Sequence, residues 1–325
     1  MTFHRGVLEI DPARVTGKIV SNLRQDVRQM LRRSGAVVGI SGGVDSSVVL
    51  ALCTHAFGPG RVVGVMMPEE DSSRDSVVLA RKAADQLDVE AIIEDLTAAL
   101  AGFGCYARRD EAIKRAFPEY EPGYKAKITL PGNVLESDAF NVFHLTIVTP
   151  NGEEKSKRLN LRDYLQIVAA SNFKQRSRMA MLYYHAELRN YAVVGTPNKN
   201  EHDQGFFVKW GDGGYDVAPV RHLYKTQIYQ LAEYLDVPLE IRQATPTTDT
   251  YSAHSTQEEF FFRLPFEVMD LLWYAQEHKV PIPEVAHVMG LTEEQVERAF
   301  RDFERKRRTT AYLRSMPVAC GRPRP

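Results

Sequence analysis

One loop constrains this chain of 325 residues more than any other stretch. The loop, Gly39-Ile40-Ser41-Gly42-Gly43-Val44-Asp45-Ser46-Ser47, follows an apolar run at residues 36–38 and precedes another at residues 48–53. A strand, a glycine turn and a helix in this order form an anion site, because the free N–H groups and the dipole of the first helical turn face the glycine turn. The pattern therefore predicts a phosphate-binding loop at the end of a buried strand.

The residue types of the loop suit a phosphate and a metal ion. Gly42 and Gly43 allow positive φ and a close approach of phosphate to the backbone, and the serines add hydroxyl donors. Asp45 would repel phosphate unless a divalent cation lies between them, and Mg²⁺ is commonly held by one or two carboxylates plus phosphate oxygens. The alternative is a strand-to-helix turn without a ligand, in which Asp45 only stabilises the helix dipole.

Strands and helices alternate around this loop. Apolar runs at residues 62–67, 89–93 and 191–195 are typical of buried strands, and helical periodicity occurs at residues 14–33 and 163–190. Such alternation predicts βαβ units and a parallel sheet that binds ligands at the carboxyl ends of its strands. We therefore expect an α/β fold with a Rossmann-like, doubly wound parallel sheet flanked by helices.

A single domain is expected to span residues 1–325. Residues 105–160 interrupt the alternation and are interpreted as an inserted subregion. Within them, residues 143–149 alternate in polarity, a Pro-Asn-Gly turn follows, and residues 155–159 can return as a second strand of a β-hairpin. Residues 257–320 are expected to form a helical C-terminal part.

Charge and cysteine content exclude several classes of protein. The formal net charge of −1 provides no global field that would select nucleic acid or an anionic membrane. Cys53, Cys105 and Cys320 form no CxxC pair, which argues against a zinc pattern and a disulfide framework. The sequence shows no charged-then-apolar leader and no apolar run of about 18 residues. We expect a cytoplasmic protein without a membrane partner.

The central loop resembles the Ser-Gly-Gly-x-Asp-Ser loop of the ATP pyrophosphatases, enzymes that split ATP between its α and β phosphates. Six further blocks resemble those of NAD⁺ synthetases in order and, from Arg176 to Thr247, in spacing. The blocks are residues 172–179 (Asn-x-x-x-Arg-x-Arg-Met), 193–201 (Val-Val-Gly-Thr-x-x-x-x-Glu), 205–216 (Gly-x-Phe-x-Lys-x-Gly-Asp-Gly-Gly-x-Asp), 223–227 (Leu-Tyr-Lys-Thr-Gln), 246–249 (Pro-Thr-Thr-Asp) and 305–308 (Arg-Lys-Arg-Arg). The resemblance covers roughly residues 10–100 and 163–312.

The resemblance implies an ammonia-dependent NAD⁺ synthetase, which is an ATP-dependent amide ligase. In that family, ATP adenylates the nicotinate carboxylate of nicotinic acid adenine dinucleotide, and pyrophosphate leaves. Ammonia then attacks the acyl adenylate and gives NAD⁺ and AMP. Such an enzyme must neutralise the triphosphate, align the carboxylate with the α-phosphorus and exclude water.

The same resemblance implies roles for individual residues. Asp45 and Lys225 would be catalytic, and Asp45 and Glu201 would hold Mg²⁺. ATP would be bound by Gly39, Ile40, Ser41, Gly42, Gly43, Val44, Asp45, Ser46, Thr196, Lys225 and Thr247. The dinucleotide acid would be bound by Arg176, Lys209, Asp216, Arg305 and Lys306.

Some of these residues have a structural alternative. Glu201 could lie in a solvated loop, Arg176 could belong to the solvated face of a long helix, and residues 305–308 could be an ordinary basic helix end. Lys225 at a helix start opposes the dipole, which favours a ligand role.

The chain also departs from the family pattern. The 105–160 insertion is longer than compact bacterial enzymes need, and Arg305 stands where the family has histidine. The blocks that would face ATP are intact, so adenylation is predicted more firmly than the identity of the acid. The alternative function is a related ATP pyrophosphatase that amidates a different carboxylic acid.

The same resemblance implies which partners the chain has. Related synthetases bind the dinucleotide acid across a two-fold interface, so we expect a homodimer with shared sites, and the helix at 163–190 carries more apolar residues than one sheet face requires. No glutaminase domain is visible, so ammonia would be free or supplied by a separate glutaminase.

Two other classes of protein share part of these sequence patterns. A tRNA-thiolating ATP pyrophosphatase would typically show paired cysteines. Residues 283–296 resemble a helix-turn-helix followed by a basic run, but plain helical hairpins share this pattern and the chain has no basic excess. We therefore expect no nucleic-acid partner.

Overall fold

The structure is a computed structural model that describes residues 3–130, 132–136, 143–247, 251–253 and 255–318. Cys320 and the last two residues of the 246–249 block lie outside these ranges. The strands are β1 (Ala36–Gly39), β2 (Val62–Met66), β3 (Glu90–Ile93), β4 (Lys125–Thr129), β5 (His144–Val148), β6 (Glu154–Arg158) and β7 (Ala192–Val194). The helices are α1 (Pro12–Arg24), α2 (Val44–Phe57), α3 (Arg74–Gln86), α4 (Thr97–Gly102), α5 (Cys105–Ala116), α6 (Leu161–Arg189), α7 (Lys199–Gln204), α8 (Lys225–Tyr234), α9 (Leu239–Gln243), α10 (Phe266–Glu277), α11 (Ile282–Met289), α12 (Glu293–Thr309) and α13 (Ala311–Arg314).

Four parallel strands form the central sheet in the order β3-β2-β1-β7. Val37 of β1 lies opposite Val63 of β2 on one side and Val193 of β7 on the other. From β1 the chain winds outward through β2 to β3, and it later returns to the far side of β1 as β7. The strand order therefore reverses between β1 and β7, where doubly wound sheets bind their ligands. The predicted α/β fold is confirmed.

Helices cover both faces of this sheet because its side chains alternate. Ala36 and Val38 of β1 pack into the cluster that contains α2, whereas Val37 packs with Ala186 of α6. Helix α2 is apolar around most of its circumference and is buried against α1 and α8 as well as the sheet. A helix that is apolar all round must lie inside the protein.

Polar caps determine where several helices begin. The Ser73 side chain accepts a hydrogen bond from Asp75 N at 3.2 Å and starts α3, and the Asn160 side chain accepts one from Asp163 N at 2.9 Å and starts α6. Such caps satisfy N–H groups that have no partner within the helix. Helix α6 lies within two residues of the bounds predicted for it from the sequence, 163–190.

The insertion contains the predicted hairpin and additional elements. Strands β5 and β6 pair antiparallel as expected, but β4 also pairs with β5 and makes a three-stranded sheet. Helix α5 was not predicted either. Lysines alternate with the buried Ala126 and Ile128 in β4, and in α5 the buried Arg109 interrupts the apolar stripe. These charged residues make both segments look polar in the sequence, so neither element was predicted.

The C-terminal part is helical, as predicted. Helices α11 and α12 form a hairpin around Gly290, and Val285, Val296 and Phe303 are fully buried against α10. The helix-turn-helix pattern thus corresponds to a helical pair packed in a core. Among the described residues, no helix is long and apolar enough to cross a membrane. That a single domain spans residues 1–325 stays a prediction.

Candidate active site

The central loop leaves β1 at the point where the strand order reverses. Gly42 has a φ of +79°, and a Cβ atom there would lie 2.5 Å from the carbonyl oxygen of Ser76, so only glycine fits. Gly43 is extended, with a φ of −85°, and directly precedes α2. Of the two glycines, Gly42 therefore adopts a positive φ and Gly43 does not.

The serines of the loop have different environments. The hydroxyls of Ser46 and Ser47 each donate to the carbonyl oxygen of Gly43 at 3.0 Å, and both side chains are buried. Ser41 is exposed, and its Oγ lies 3.4 Å from Ser46 Oγ. Ser46 and Ser47 therefore hold the loop in shape, while Ser41 can reach a ligand.

Asp45 lies in the first turn of α2 and is held at both carboxylate oxygens. Oδ2 forms an ion pair with Lys225 Nζ, and Oδ1 accepts a hydrogen bond from Asn198 Nδ2 at 3.0 Å. Lys225 begins α8, and its side chain is 1% exposed. The two residues predicted to be catalytic are thus brought into direct contact.

Glu201 joins this group through Asn198. The side chain of Asn198 accepts from Glu201 N at 3.0 Å, and Asn198 N donates to Glu201 Oε2 at 3.1 Å, which is a capping box at the start of α7. Asn198 is fully buried and bonds to both predicted magnesium ligands. Sequence reasoning missed it, although an asparagine three residues before a glutamate is a recognisable capping signal.

Electrostatics show that this group is short of positive charge. Burial, followed by the charge of Asp45, raises the pKa of Glu201 to about 8. Burial opposes the charged form of Lys225, but the Asp45 and Glu201 carboxylates outweigh it and raise the pKa of Lys225. Two carboxylates therefore share one ammonium group.

The donor set fits Mg²⁺ bound together with a nucleotide. The described residues contain no cluster of three or more His, Cys, Asp or Glu side chains that could hold a metal ion by themselves. Mg²⁺ usually takes only one or two carboxylates and completes its shell with waters and phosphate oxygens. Asp45 and Glu201 supply that number of carboxylates beside a phosphate loop.

A buried carboxylate supports this group from behind. Asp270 of α10 accepts hydrogen bonds from Thr226 N and Thr226 Oγ1, both at 2.8 Å, and from Asn200 Nδ2 at 2.5 Å. Asn200 Oδ1 in turn accepts from Lys225 N at 3.1 Å. Asp270 is fully buried and places a negative charge at the N-terminus of α8, which offsets the unfavourable position of Lys225.

A cavity of about 780 Å³ opens in front of the loop. This volume lies within the usual range of ligand sites. Its walls come from the carboxyl ends of the sheet strands, from α6, from the insertion and from α12. The predicted site residues that line it are Gly39, Ile40, Ser41, Thr196, Glu201, Thr247, Arg305 and Lys306.

Three residues predicted to bind the dinucleotide acid lie outside the walls of this cavity. Arg176 Nε donates to the carbonyl oxygen of Lys209 at 3.2 Å, and Lys209 Nζ donates to the carbonyl oxygens of Tyr312 and Ser315. Asp216 accepts from Val193 N at 2.8 Å and from the hydroxyl of Tyr183 at 3.0 Å. Within one subunit these side chains therefore bind other parts of the chain.

Two basic residues of the cavity have distinct environments. Lys306 is 3% exposed and pairs with Asp302 at 2.8 Å, and burial lowers the pKa of Lys306. Arg178 was part of a family block but was given no role. It lines the cavity, and its Nε donates to the carbonyl oxygen of Met67 at 3.2 Å.

Comparisons with known proteins show which family the chain belongs to. The sequence profile of the family described as NAD synthase matches residues 15–117 and 141–317. A relative from Mesorhizobium japonicum, named NH(3)-dependent NAD(+) synthetase, is 51% identical over 312 residues, which cover 96% of this chain and 98% of the relative. The chain belongs to the NAD synthase family. A relative of the same name from Rhizobium meliloti is 45% identical and covers 98% of the chain.

Solved structures support the same fold. The NH3-dependent NAD synthetase from Campylobacter jejuni, in complex with the nitrate ion, superposes with a TM-score of 0.61 at 22% identity. The alignment covers 95% of this chain and 99% of that one. At this identity the likeness concerns the fold alone. The NAD synthase fold is therefore common to this chain and to a distant relative.

Proposed function

We propose that the chain is an ammonia-dependent NAD⁺ synthetase, an ATP-dependent amide ligase. It would convert nicotinic acid adenine dinucleotide, ATP and ammonia to NAD⁺, AMP and pyrophosphate. The observation that carries this proposal is the group formed by Asp45, Lys225, Asn198 and Glu201 beside the phosphate loop, at the edge of a ligand-sized cavity. The names of relatives that match nearly the whole chain support it.

In the first step, an oxygen of the substrate carboxylate attacks the α-phosphorus of ATP, and the bond to the β-phosphate oxygen breaks. The loop N–H groups and Ser41 would bind the phosphates, and Lys225 would contribute a compact positive charge. Asp45 and Glu201 would hold Mg²⁺, which neutralises phosphate charge when it is bound. Preorganised charges of this kind are a large source of catalysis.

In the second step, ammonia attacks the carbonyl carbon of the acyl adenylate. AMP leaves with the electron pair of the broken C–O bond, and the nitrogen loses a proton to give the amide. Neither step requires a covalent bond to the protein. The chain therefore has to orient the reactants and exclude water.

A homodimer would explain the positions of the remaining residues. Arg176, Lys209 and Asp216 lie outside the cavity of their own subunit, so they would bind the dinucleotide acid at a site shared with the second subunit. Helix α6 leaves large apolar side chains exposed near both of its ends. They are Leu161, Leu165, Tyr184 and Leu188.

The source of ammonia and the location of the protein belong to the same proposal. Ammonia would be free or supplied by a separate glutaminase, and the enzyme would work in the cytoplasm. Nucleic acids and membranes would play no part in the reaction.

Mass spectrometry of the products tests the function. The protein should form NAD⁺, AMP and pyrophosphate only when ATP, ammonium and nicotinic acid adenine dinucleotide are all present. Formation of ADP and phosphate, or no NAD⁺ at any ammonium concentration, would refute the proposal. A panel of other carboxylic acids in the same assay tests the alternative acceptor.

A further inference from the structure

The insertion forms one wall of the active-site cavity. Three of its residues, Ile128, Leu130 and Phe143, line the cavity together with the phosphate loop, and we call them the insertion wall. Ile128 is fully buried at the inner face of β4, and Leu130 is 5% exposed. The family profile matches residues 15–117 and 141–317, so Ile128 and Leu130 lie in the stretch between its two matched parts.

The insertion wall is fixed on both sides. On one side, Ala126 N donates to Ser252 Oγ at 2.8 Å, and Ala253 N donates to the carbonyl oxygen of Ala126 at 3.1 Å. On the other side, Arg298 of α12 donates to the carbonyl oxygen of Leu135 at 2.5 Å. The insertion is therefore tied both to the segment that follows Thr247 and to the C-terminal helices.

The chemistry of the wall points to its role. None of its side chains carries a charge or a hydrogen-bond donor, and Phe143 of the wall stacks on Tyr164 of α6 with ring centroids 4.4 Å apart. A buried water needs two to four polar partners to be stable. Water beside Ile128 and Leu130 would find no hydrogen-bond partner on these side chains, so this part of the lining disfavours bound water.

We propose that the insertion wall protects the acyl adenylate from hydrolysis, and this inference rests on the proposed function. Water that attacks the carbonyl carbon in place of ammonia releases AMP and regenerates the carboxylic acid. The net result is ATP and water going to AMP and pyrophosphate without product. Water exclusion is a recognised means of preventing such side reactions, and here it is assigned to named residues of the insertion.

A matched pair of isoleucines makes the test specific. Ile128 of β4 and Ile147 of β5 are both fully buried, and both pack in the same cluster on the inner face of the same sheet. Only Ile128 lines the cavity. Ile128→Thr and Ile147→Thr both add one hydroxyl at a β-branched position, so they should lower the melting temperature to a similar degree.

The readout is the ratio of AMP to NAD⁺ formed in water labelled with oxygen-18. The unchanged protein should release one AMP for each NAD⁺, and Ile147→Thr and Ile128→Val should keep that ratio. Ile128→Thr should release about twofold or more AMP over NAD⁺, because its hydroxyl gives a water a partner next to the intermediate. The recovered acid should then carry oxygen-18 in its carboxylate, which direct hydrolysis of ATP would not produce.

Leu130→Ser tests the wall at a second position, should Ile128→Thr fail to fold. Folded variants at both positions with equal amounts of AMP and NAD⁺ would overturn the proposal, and so would equal uncoupling by Ile147→Thr. Failure of the unchanged protein to make any NAD⁺ would instead refute the proposed function. The two ideas therefore fail in different measurements.

Discussion

Asp45 and Lys225 form an ion pair although they lie 180 residues apart in the sequence. The side chain of Lys225 is 1% exposed and that of Asp45 is 15% exposed, so the pair is largely shielded from water. From the sequence, both residues are expected to be catalytic and to bind ATP, and Asp45 is expected to hold magnesium as well. The structure shows that they also serve as counter-ions for each other.

This pairing predicts non-additive effects on stability. Asp45→Asn should lower the free energy of unfolding by about 3 kcal/mol, because it leaves the buried Lys225 without the carboxylate that it pairs with directly. Lys225→Met should cost a similar amount because it leaves two neighbouring carboxylates without an ammonium. The double variant should be more stable than the sum of the single losses predicts.

Urea unfolding of the four proteins measures this coupling, and pyrophosphate release measures activity. Both single variants should lose orders of magnitude in turnover while remaining folded, and the double variant should regain stability but not activity. Strictly additive unfolding free energies would contradict the ion pair. Near-normal turnover of Asp45→Asn, with unchanged magnesium dependence, would contradict its role as a metal ligand.

The sequence predicted the fold, and it named Asp45, Glu201 and Lys225, which the structure brings together, because both predictions depend on local patterns. The phosphate loop combines glycine, serine and an apolar helix within a few residues, and the buried strands are continuous apolar runs. Asn198 and Asp270 could not be identified in this way. Their contacts reach Asp45 and Thr226 across 153 and 44 residues, and the same residue types are common on surfaces.

The insertion shows a second limit. Strand β4 was missed because Lys125 and Lys127 alternate with its buried residues, and the segment therefore looked polar throughout. Its contribution to the cavity depends on how the whole insertion packs against α6 and the C-terminal helices. No periodicity in a single segment carries that information.

Asn198 gives a prediction about metal dependence. Asn198→Ala removes the amide that fixes Asp45 and the cap that fixes Glu201, so the two carboxylates should lose their relative orientation. The Mg²⁺ concentration for half-maximal activity should rise by roughly tenfold or more, as for other groups that orient metal ligands. Lys199→Ala is the control. It perturbs the same helix by removing the ion pairs of Lys199 with Asp203 and Glu277, but it does not touch Asp45 or Glu201. An equal shift in both variants would indicate a general effect on α7.

Asp270 gives a prediction about the pH dependence of stability. Burial raises the pKa of its carboxyl from the ordinary value of 3.8 to about 6. Between these values the folded state keeps a proton that the unfolded chain has lost, so the contribution of Asp270 to stability falls as the pH rises from about 4 to about 6. The shift corresponds to about 3 kcal/mol.

Asp270→Asn isolates this effect because asparagine does not ionise. The unfolding free energy of the unchanged protein should decline relative to that of the variant over this pH range and then run parallel above pH 6. Asp85→Asn, at an exposed position of α3, controls for the change in net charge. A constant difference between the unchanged protein and Asp270→Asn from pH 4 to pH 7 would show that the carboxyl has an ordinary pKa.

The shared-site homodimer gives the last prediction. Sedimentation equilibrium at micromolar concentration should show a dimer, and a fully active monomer would refute shared sites. A dimer alone is not sufficient evidence, so complementation is needed. Asp45→Asn and Arg176→Ala should each be inactive, because one removes the proposed metal ligand and the other removes the proposed contact to the dinucleotide acid.

Mixing the two inactive proteins separates a shared site from a site within one subunit. If Asp45 of one subunit works with Arg176 of the other, each mixed dimer contains one intact site and one site with both changes. At equal amounts, random exchange makes half of the dimers mixed, so activity should return to about a quarter of the normal level. If each site lies within one subunit, every site carries one of the two changes and no activity returns. The absence of recovery counts against the shared site only if subunit exchange is complete. Fluorescence transfer between labelled subunits measures that exchange.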